Sequence, residues 1–381
     1  MTIENVVIAG VGIHPFGRFP DITYRELGAH AASEALLDAG ITIGEADMAF
    51  VANVGSEMAK GQNVIEHLGR PGFPIINVEA ACASSASALY LGAQMIRSGS
   101  SEVVLCIGVE EAPRGFIAAS GYEAWQIKSG LGVNPVYFAL QAQELLAETD
   151  ATVEDLADVS VKNHTHAIDN VNAMFRKAVS REEVLGGRLV CPPLTLLMLC
   201  APNSGAAAVV LMSETVARKR KIEQPIHVQG ISLVSRSPDD WFVPAPSFRA
   251  HGRTSLSERA ASVAYEEAGI GPEDIDIVEC QDTDAGSELI AYRDLGLCAR
   301  GDEARLLRSG ATWIGGSLPV NPSGGLLSKG EPLGASGLGQ VFDLVAQLRG
   351  QAGSRQVPDA RTGVGHVMGA GHNASVVVLQ K

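Results

Sequence analysis

Ala31-Ala-Ser-Glu-Ala-Leu-Leu-Asp-Ala-Gly-Ile41 recurs without a gap as Ala260-Ala-Ser-Val-Ala-Tyr-Glu-Glu-Ala-Gly-Ile270. Each copy spaces its apolar residues as an amphipathic helix does and stops at Ala-Gly, a common helix end. At the same offset Asp47-Met-Ala-Phe-Val51 falls on Asp276-Ile-Val-Glu-Cys280, so an acidic turn and a buried strand follow each helix. Both halves also end alike. Ala206-Ala-Ala-Val-Val-Leu-Met212 and Asn373-Ala-Ser-Val-Val-Val-Leu379 are short apolar runs suited to central strands. The chain reads as a duplicated α/β unit, with halves at residues 1–218 and 219–381.

The duplication gives meaning to a second pair of segments. Phe73-Pro-Ile-Ile-Asn-Val78 is strand-like, Ala86 to Ile96 is helix-like, and Cys82 stands at the turn between them. A cysteine there fits a packed core residue. It equally fits a nucleophile, because a helix N-terminus favours the thiolate. The counterpart in the second half is Lys329-Gly-Glu-Pro-Leu-Gly-Ala-Ser-Gly337, which feeds the helix-like Leu338 to Leu348 and carries Glu331 at its head. In a pseudo-symmetric pair, equivalent helix starts can face one another. Cys82 and Glu331 are therefore expected to converge on one pocket.

Composition narrows the class. The chain has 381 residues, 46% hydrophobic and 19% charged, with a net charge of −14 and no block of lysine or arginine. Nucleic acid and anionic membrane surfaces are poor partners for such a chain. The N-terminus lacks a basic segment before its apolar run and reads as a first strand, and no apolar stretch reaches the length of a membrane span. The six cysteines form no Cys-x-x-Cys pair and are too sparse for a disulfide scaffold. A zinc site within the chain is not expected, and a reducing cytoplasm is the natural setting.

Between about residues 112 and 201 the pattern is less regular and more polar, as in an inserted lid or binding loop. His164 and His166 lie there, two apart, so on a helix they diverge and make a weak metal pair.

The motifs Asn77-Val-Glu-Ala-Ala-Cys-Ala-Ser-Ser85, Val161-Lys-Asn-His164, Phe175-Arg-Lys177 and Asn321-Pro-Ser-Gly-Gly-Leu-Leu-Ser-Lys-Gly-Glu-Pro-Leu-Gly-Ala-Ser-Gly337 resemble those of the thiolase superfamily. The likeness is strongest to its branch with the sterol-carrier-protein-X thiolases and includes acetyl-CoA acetyltransferase-like enzymes. It implies an α/β duplicated thiolase fold, a five-layer αβαβα sandwich, with the loop domain at about 112–201 inserted in the first half. It also implies dimers or larger oligomers. In the family mechanism a cysteine thiolate, here Cys82, attacks a β-ketoacyl-CoA and the carbon–carbon bond breaks. Coenzyme A, a substrate with no bound cofactor or metal beside it, then takes the acyl group.

Departures from the family pattern fall at the acid/base positions. Glu331-Pro-Leu-Gly334 replaces the common His-Pro-Leu-Gly. An ionised glutamate accepts a proton but donates none, and enclosure should raise its pKa. In Glu279-Cys-Gln-Asp-Thr-Asp284, Gln281 takes the place of a histidine and Thr283 that of a cysteine, while Cys280 reads as core. In Gly365-His-Val-Met-Gly-Ala-Gly-His-Asn-Ala374, His366 aligns best with an acid/base group and His372 competes with it. Gly369 and the Cys82 N–H are the expected oxyanion donors.

Three functions remain open on these residues. The first is a thiolase for a bulky, branched or aromatic β-ketoacyl-CoA such as benzoylsuccinyl-CoA. The second is a thiolase-like retro-aldolase, and the third a non-catalytic subunit. Cys82 favours the first. Relatives in this branch often work with a small separate zinc-ribbon and OB-fold protein, which would be a partner here.

Overall fold

The computed structural model describes residues 4–55, 57–112, 115, 123–237 and 254–381. The first half runs β1 (Val6–Gly17), α1 (Tyr24–Asp38), β2 (Met48–Ala52), β3 (Ile75–Val78), α2 (Ser84–Arg97) and β4 (Val103–Glu110). Between β4 and β7 (Ser204–Ser213) lie α3 (Asn134–Glu148), α4 (Val153–His166) and a two-stranded ribbon of β5 (Leu189–Cys191) and β6 (Leu194–Thr195). The second half contains β8 (Ile226–Ser235), α5 (Leu256–Ala268), β9 (Ile277–Glu279), α6 (Ala285–Asp294), α7 (Ser336–Leu348), β10 (Thr362–Gly369) and β11 (Asn373–Gln380).

The main strands form one sheet in the order β3-β2-β4-β7-β1-β8-β11-β10-β9. Its two arms mirror each other across β1 and β8, which meet antiparallel through Val7↔His227 and Ile8↔Ile226. Where the first arm has β3, the second has Val320, bridged in parallel to Val278 of β9. Helices α2 and α7 pack on each other and on strands of both arms. Helix α1 covers the far side of β1, β4 and β7, and α5 the far side of β8 and β11. The layers are thus α1, first arm, α2 with α7, second arm, α5, in agreement with the αβαβα expectation.

The repeated alanines have a steric cause. A Cβ on Gly10 or Gly12 would come 2.2 Å from Ala35 O or 2.1 Å from Ala31 O, and one on Gly230 would come 2.1 Å from Ala264 O. Helix and strand touch backbone to backbone, so glycine on β1 and β8 meets alanine on α1 and α5. Both helices begin with a reciprocal cap, Thr23 with Glu26 and Ser255 with Glu258, which satisfies two otherwise unpaired N–H groups each.

The inserted helices share a core with the second half. Ala142, Leu145, Leu156 and Val159 cluster with Leu256, Ala260, Leu289 and Tyr292. Lys162 Nζ lies 2.7 Å from Glu288 Oε1 and 2.8 Å from Val320 O, fully buried. Asn163 Nδ2 donates to both Asp282 and Glu288. These bonds explain the Val161-Lys-Asn-His164 motif: it anchors α4 to the strand end that carries Gln281. His164 and His166 are both buried, and His166 Nδ1 lies 3.0 Å from Asn321 O while Nε2 accepts from the Ile314 N–H. No helix among the described residues is long and apolar enough to cross a membrane.

Candidate active site

Cys82 occupies the tight turn between β3 and α2. Ala81 takes a left-handed backbone (φ 51°), and its N–H is held by Glu79 Oε1 at 2.8 Å. Ser84 Oγ accepts from the Ala80 N–H and donates to Ala81 O, so the first turn of α2 fixes the cysteine in place.

The matching turn of the second half is locked against it. Gly330 adopts φ 86°, and a Cβ there would overlap the Asn203 side chain. Glu331 N–H donates to Ala201 O at 2.9 Å and its carbonyl accepts from Asn203 N–H at 3.3 Å. Gly334 N–H donates to Glu110 Oε2 at the end of β4, and Leu338 N–H donates to Ser85 Oγ on α2. The two helix heads therefore converge, and the Glu331 carboxyl lies close enough to the Cys82 thiol for each to shift the other's pKa.

Glu331 is 4% exposed and receives two donors. Gln281 Nε2 lies 3.1 Å from Oε1, and Cys200 Sγ lies 3.1 Å from Oε2. Gln281 is fixed in turn by the Met368 N–H, which donates to its Oε1. It also reaches the Cys82 sulfur, as does the Ala370 N–H.

No motif in the sequence singles out Cys200. The segment from Leu199 to Pro202 runs between the Thr283–Asp284 loop and the Glu331 turn: Leu199 bridges to Asp284, Cys200 N–H donates to Thr283 O at 2.9 Å, and Pro202 bridges to Glu331. This pairing delivers the thiol to the carboxylate. Nothing local in the sequence marks it apart from Cys191 or Cys298.

His366 is not at the site. Along β10 the odd positions face α7: a Cβ on Gly363 or Gly365 would touch Leu344. His366 points the other way, with Nε2 2.8 Å from Ser257 Oγ on α5, and burial lowers its pKa to about 4. Val367 takes the inward position and packs with Ala83 and Ala86 against Ala80 and Cys82. His372 is exposed on the turn after β10. Gly369 leaves space, since a Cβ there would come 2.2 Å from Ala80 O, but the N–H that meets the sulfur belongs to Ala370. Thr283 is engaged with Ser287, and Cys280 is a buried core residue.

Electrostatics set the resting state. Burial first, then the Glu331 charge, pushes the Cys82 thiol well above its ordinary value, against the pull of Gln281 and the Ala370 N–H. Burial and Glu331 do the same to Cys200. Glu331 is itself raised by burial, partly offset by its neighbours Cys200, Cys82 and Gln281. With its pKa held high, Cys82 needs a base to become the thiolate. A small cleft opens onto this group, lined by Asn134, Pro135 and Phe138 of α3, by Leu199 and Pro202, and by Cys200 and Glu331. Among the described residues no three His, Cys, Asp or Glu side chains gather as a metal set.

The family model for the thiolase N-terminal domain matches residues 6–184, and that for the thiolase C-terminal domain-like region matches residues 249–381. The chain is 39% identical over 378 residues to "Benzoylsuccinyl-CoA thiolase subunit BbsB" of Thauera aromatica, covering 97% of this chain and 96% of that one. It is 35% identical over 396 residues to "Sterol carrier protein 2" of Bos taurus, covering 99% of this chain and 72% of the relative. In fold it resembles the solved "Ltp2-ChsH2(DUF35) aldolase", with a TM-score of 0.88 at 24% identity over 100% of this chain and 98% of that one. The matches span both halves of the duplication and the convergent turns between them, and on that ground the chain belongs to the thiolase family of acyltransferases.

Proposed function

We propose that this chain cleaves a bulky, branched or aromatic β-ketoacyl-CoA with coenzyme A, through an acyl-enzyme on Cys82. The observation that carries this reading is the convergence of the two helix heads, Gly334 N–H on Glu110 and Leu338 N–H on Ser85, which brings the Glu331 carboxyl beside the Cys82 thiol. Glu331 takes the thiol proton, and the thiolate attacks the ketone carbon. The carbon–carbon bond then breaks, its electron pair passing to the α-carbon of the departing acyl-CoA. The thiol of coenzyme A attacks the resulting thioester and frees Cys82. Once protonated, Glu331 becomes a donor to an oxygen that carries developing charge, which its ionised form is not. Gln281 and the Ala370 N–H supply further donors.

The substrate class is supported by the cleft, whose wall includes Phe138, Pro135 and Leu199, by the apolar Val367 beside the sulfur, and by the name of the 39% identical relative. That relative is named as a subunit, and the similar structure's name carries two components. Both fit a second protein component working beside this chain, for which the resemblance suggests a small zinc-ribbon and OB-fold protein. The retro-aldolase reading is favoured by one observation, the fold likeness to a structure named as an aldolase, but it gives Cys82 and its base no task.

The test is intact-mass measurement after incubation with benzoyl-CoA. One benzoyl adduct that maps to Cys82 and is discharged by coenzyme A supports the reading. An adduct that persists in Cys82→Ser, or none at all, sinks it.

A further inference from the structure

Two thiols lie beside one buried carboxyl, and acyl transfer to Cys82 uses only one of them. Cys200 Sγ sits 3.1 Å from Glu331 Oε2, and Cys82 and Gln281 also contact that group. Cys200 faces the cleft with Glu331. Its backbone is clamped on both sides, to Thr283 and through Pro202 to Glu331, so the thiol is held in position.

With protonated Glu331 occupied as donor to the charged oxygen, the reaction has one role left to fill. When the carbon–carbon bond breaks, the departing α-carbon carries an electron pair and must gain a proton. Val367 beside Cys82 has no proton to give, His366 faces α5, and Thr283 is a hydroxyl bonded to Ser287. Among the described residues that contact Glu331, Cys200 is the remaining one with an acidic proton.

Building on the acyl-transfer reading, we infer that Cys200 is the catalytic acid/base of the α-carbon, coupled to Cys82 through Glu331. The protons balance. Cys82 gives its proton to Glu331 as the sulfur–carbon bond forms. Cys200 gives its proton to the α-carbon as the carbon–carbon bond breaks. Glu331 returns the first proton to the Cys200 thiolate. The net result is transfer of the Cys82 proton to the leaving acyl-CoA, with Glu331 ionised again. Run in reverse, the Cys200 thiolate draws a proton from the α-carbon of an acyl-CoA. A carboxyl placed between two thiols serves both directions, which accounts for the shared contact.

The experiment separates the two thiols. Benzoyl-CoA has no α-hydrogen, so its single-turnover adduct reads Cys82 and Glu331 alone. Acetyl-CoA in D2O, followed by deuterium incorporation at its methyl group, reads the α-carbon chemistry. Cys200→Ala and Cys200→Ser are compared with the unaltered chain, with a melting curve on each. The expected result is deuterium exchange slower by about 10²–10⁴-fold, the usual worth of general acid–base catalysis, with benzoylation slowed far less, by the loss of one hydrogen bond to Glu331. Exchange at the unaltered rate in both variants overturns the inference. So does loss of benzoylation and exchange in equal measure, which makes Cys200 a support for Glu331, and so does an unaltered chain that is benzoylated but exchanges nothing. An unaltered chain that forms no benzoyl adduct overturns the acyl-transfer reading itself, and this inference with it.

Discussion

Gln281 Nε2 donates to Glu331 Oε1 at 3.1 Å, and so joins the end of β9 to the head of α7 inside the second half. The same amide reaches the Cys82 sulfur, while its oxygen accepts the Met368 N–H. Gln281→Glu keeps the shape but places a second carboxylate against the first. The pair then shares one proton, so the base form of Glu331 should appear only at higher pH. Benzoylation of Cys82, measured across pH, should shift its rise to higher pH in this variant. An unchanged profile would show that Gln281 does not face the ionising group.

Glu331 carries the second prediction. Burial raises its pKa above the ordinary carboxylate value, so the base form is lost as pH falls through that raised value. Benzoylation should therefore decline on the acid side, starting above the range where exposed carboxylates titrate. Glu331→Gln should remove that acid limb and slow benzoylation by about 10²–10⁴-fold. Glu331→His should recover part of the rate near neutral pH. Single-turnover rates for the three forms check this, and near-native acylation by Glu331→Gln would move the base to another residue.

These two groups show what the sequence makes legible. The repeat at Ala31 and Ala260 announces the paired layers because backbone contact between helix and strand requires small residues at matched places. From pairing it follows that Cys82 and Glu331, at equivalent helix heads, can meet. What escapes is anything set by orientation or by cross-chain pairing. His366 and Val367 differ by one step on β10, and a period of two sends them to opposite faces. Counting from Gly363 and Gly365, which face α7, picks Val367. Cys200 escapes for another reason: its place depends on an irregular segment threading between Thr283 and Glu331, which carries no periodic signal. Desolvation and the Glu331 charge at Cys82 escape as well, since both come from packing between the halves and not from its place at a helix start.

Steric contact between β8 and α5 gives a stability prediction. Gly230→Ala places a methyl 2.1 Å from Ala264 O, a backbone atom that cannot move alone. Forced overpacking of this kind costs about 1–3 kcal/mol and often more against backbone. Gly44→Ala, with nothing within 4 Å of the new methyl, serves as the control. Denaturant midpoints should fall for the first and hold for the second. Equal midpoints would mean that the helix and strand are not in backbone contact.

The last prediction concerns the buried pair behind the site. Lys162 Nζ and Glu288 Oε1 are 2.7 Å apart, with both side chains fully buried. Glu288 also receives Asn163, Asn321 and Tyr292, so its carboxylate is enclosed by donors from α4, α6 and the segment at Asn321. Removing one charge of such a pair leaves the other uncompensated, which typically costs 3–5 kcal/mol, while replacing both is often close to neutral. Lys162→Met should therefore lower the unfolding free energy by about 3–5 kcal/mol. Lys162→Met with Glu288→Gln should regain a substantial part of it. Asn163 links this pair to Asp282, next in sequence to Gln281, so the single variant should also slow benzoylation of Cys82 and the double variant should restore it. Denaturation curves and single-turnover rates on the same three proteins decide the matter. A double variant no more stable than the single one would show that the lysine acts by packing its stem and not by its charge.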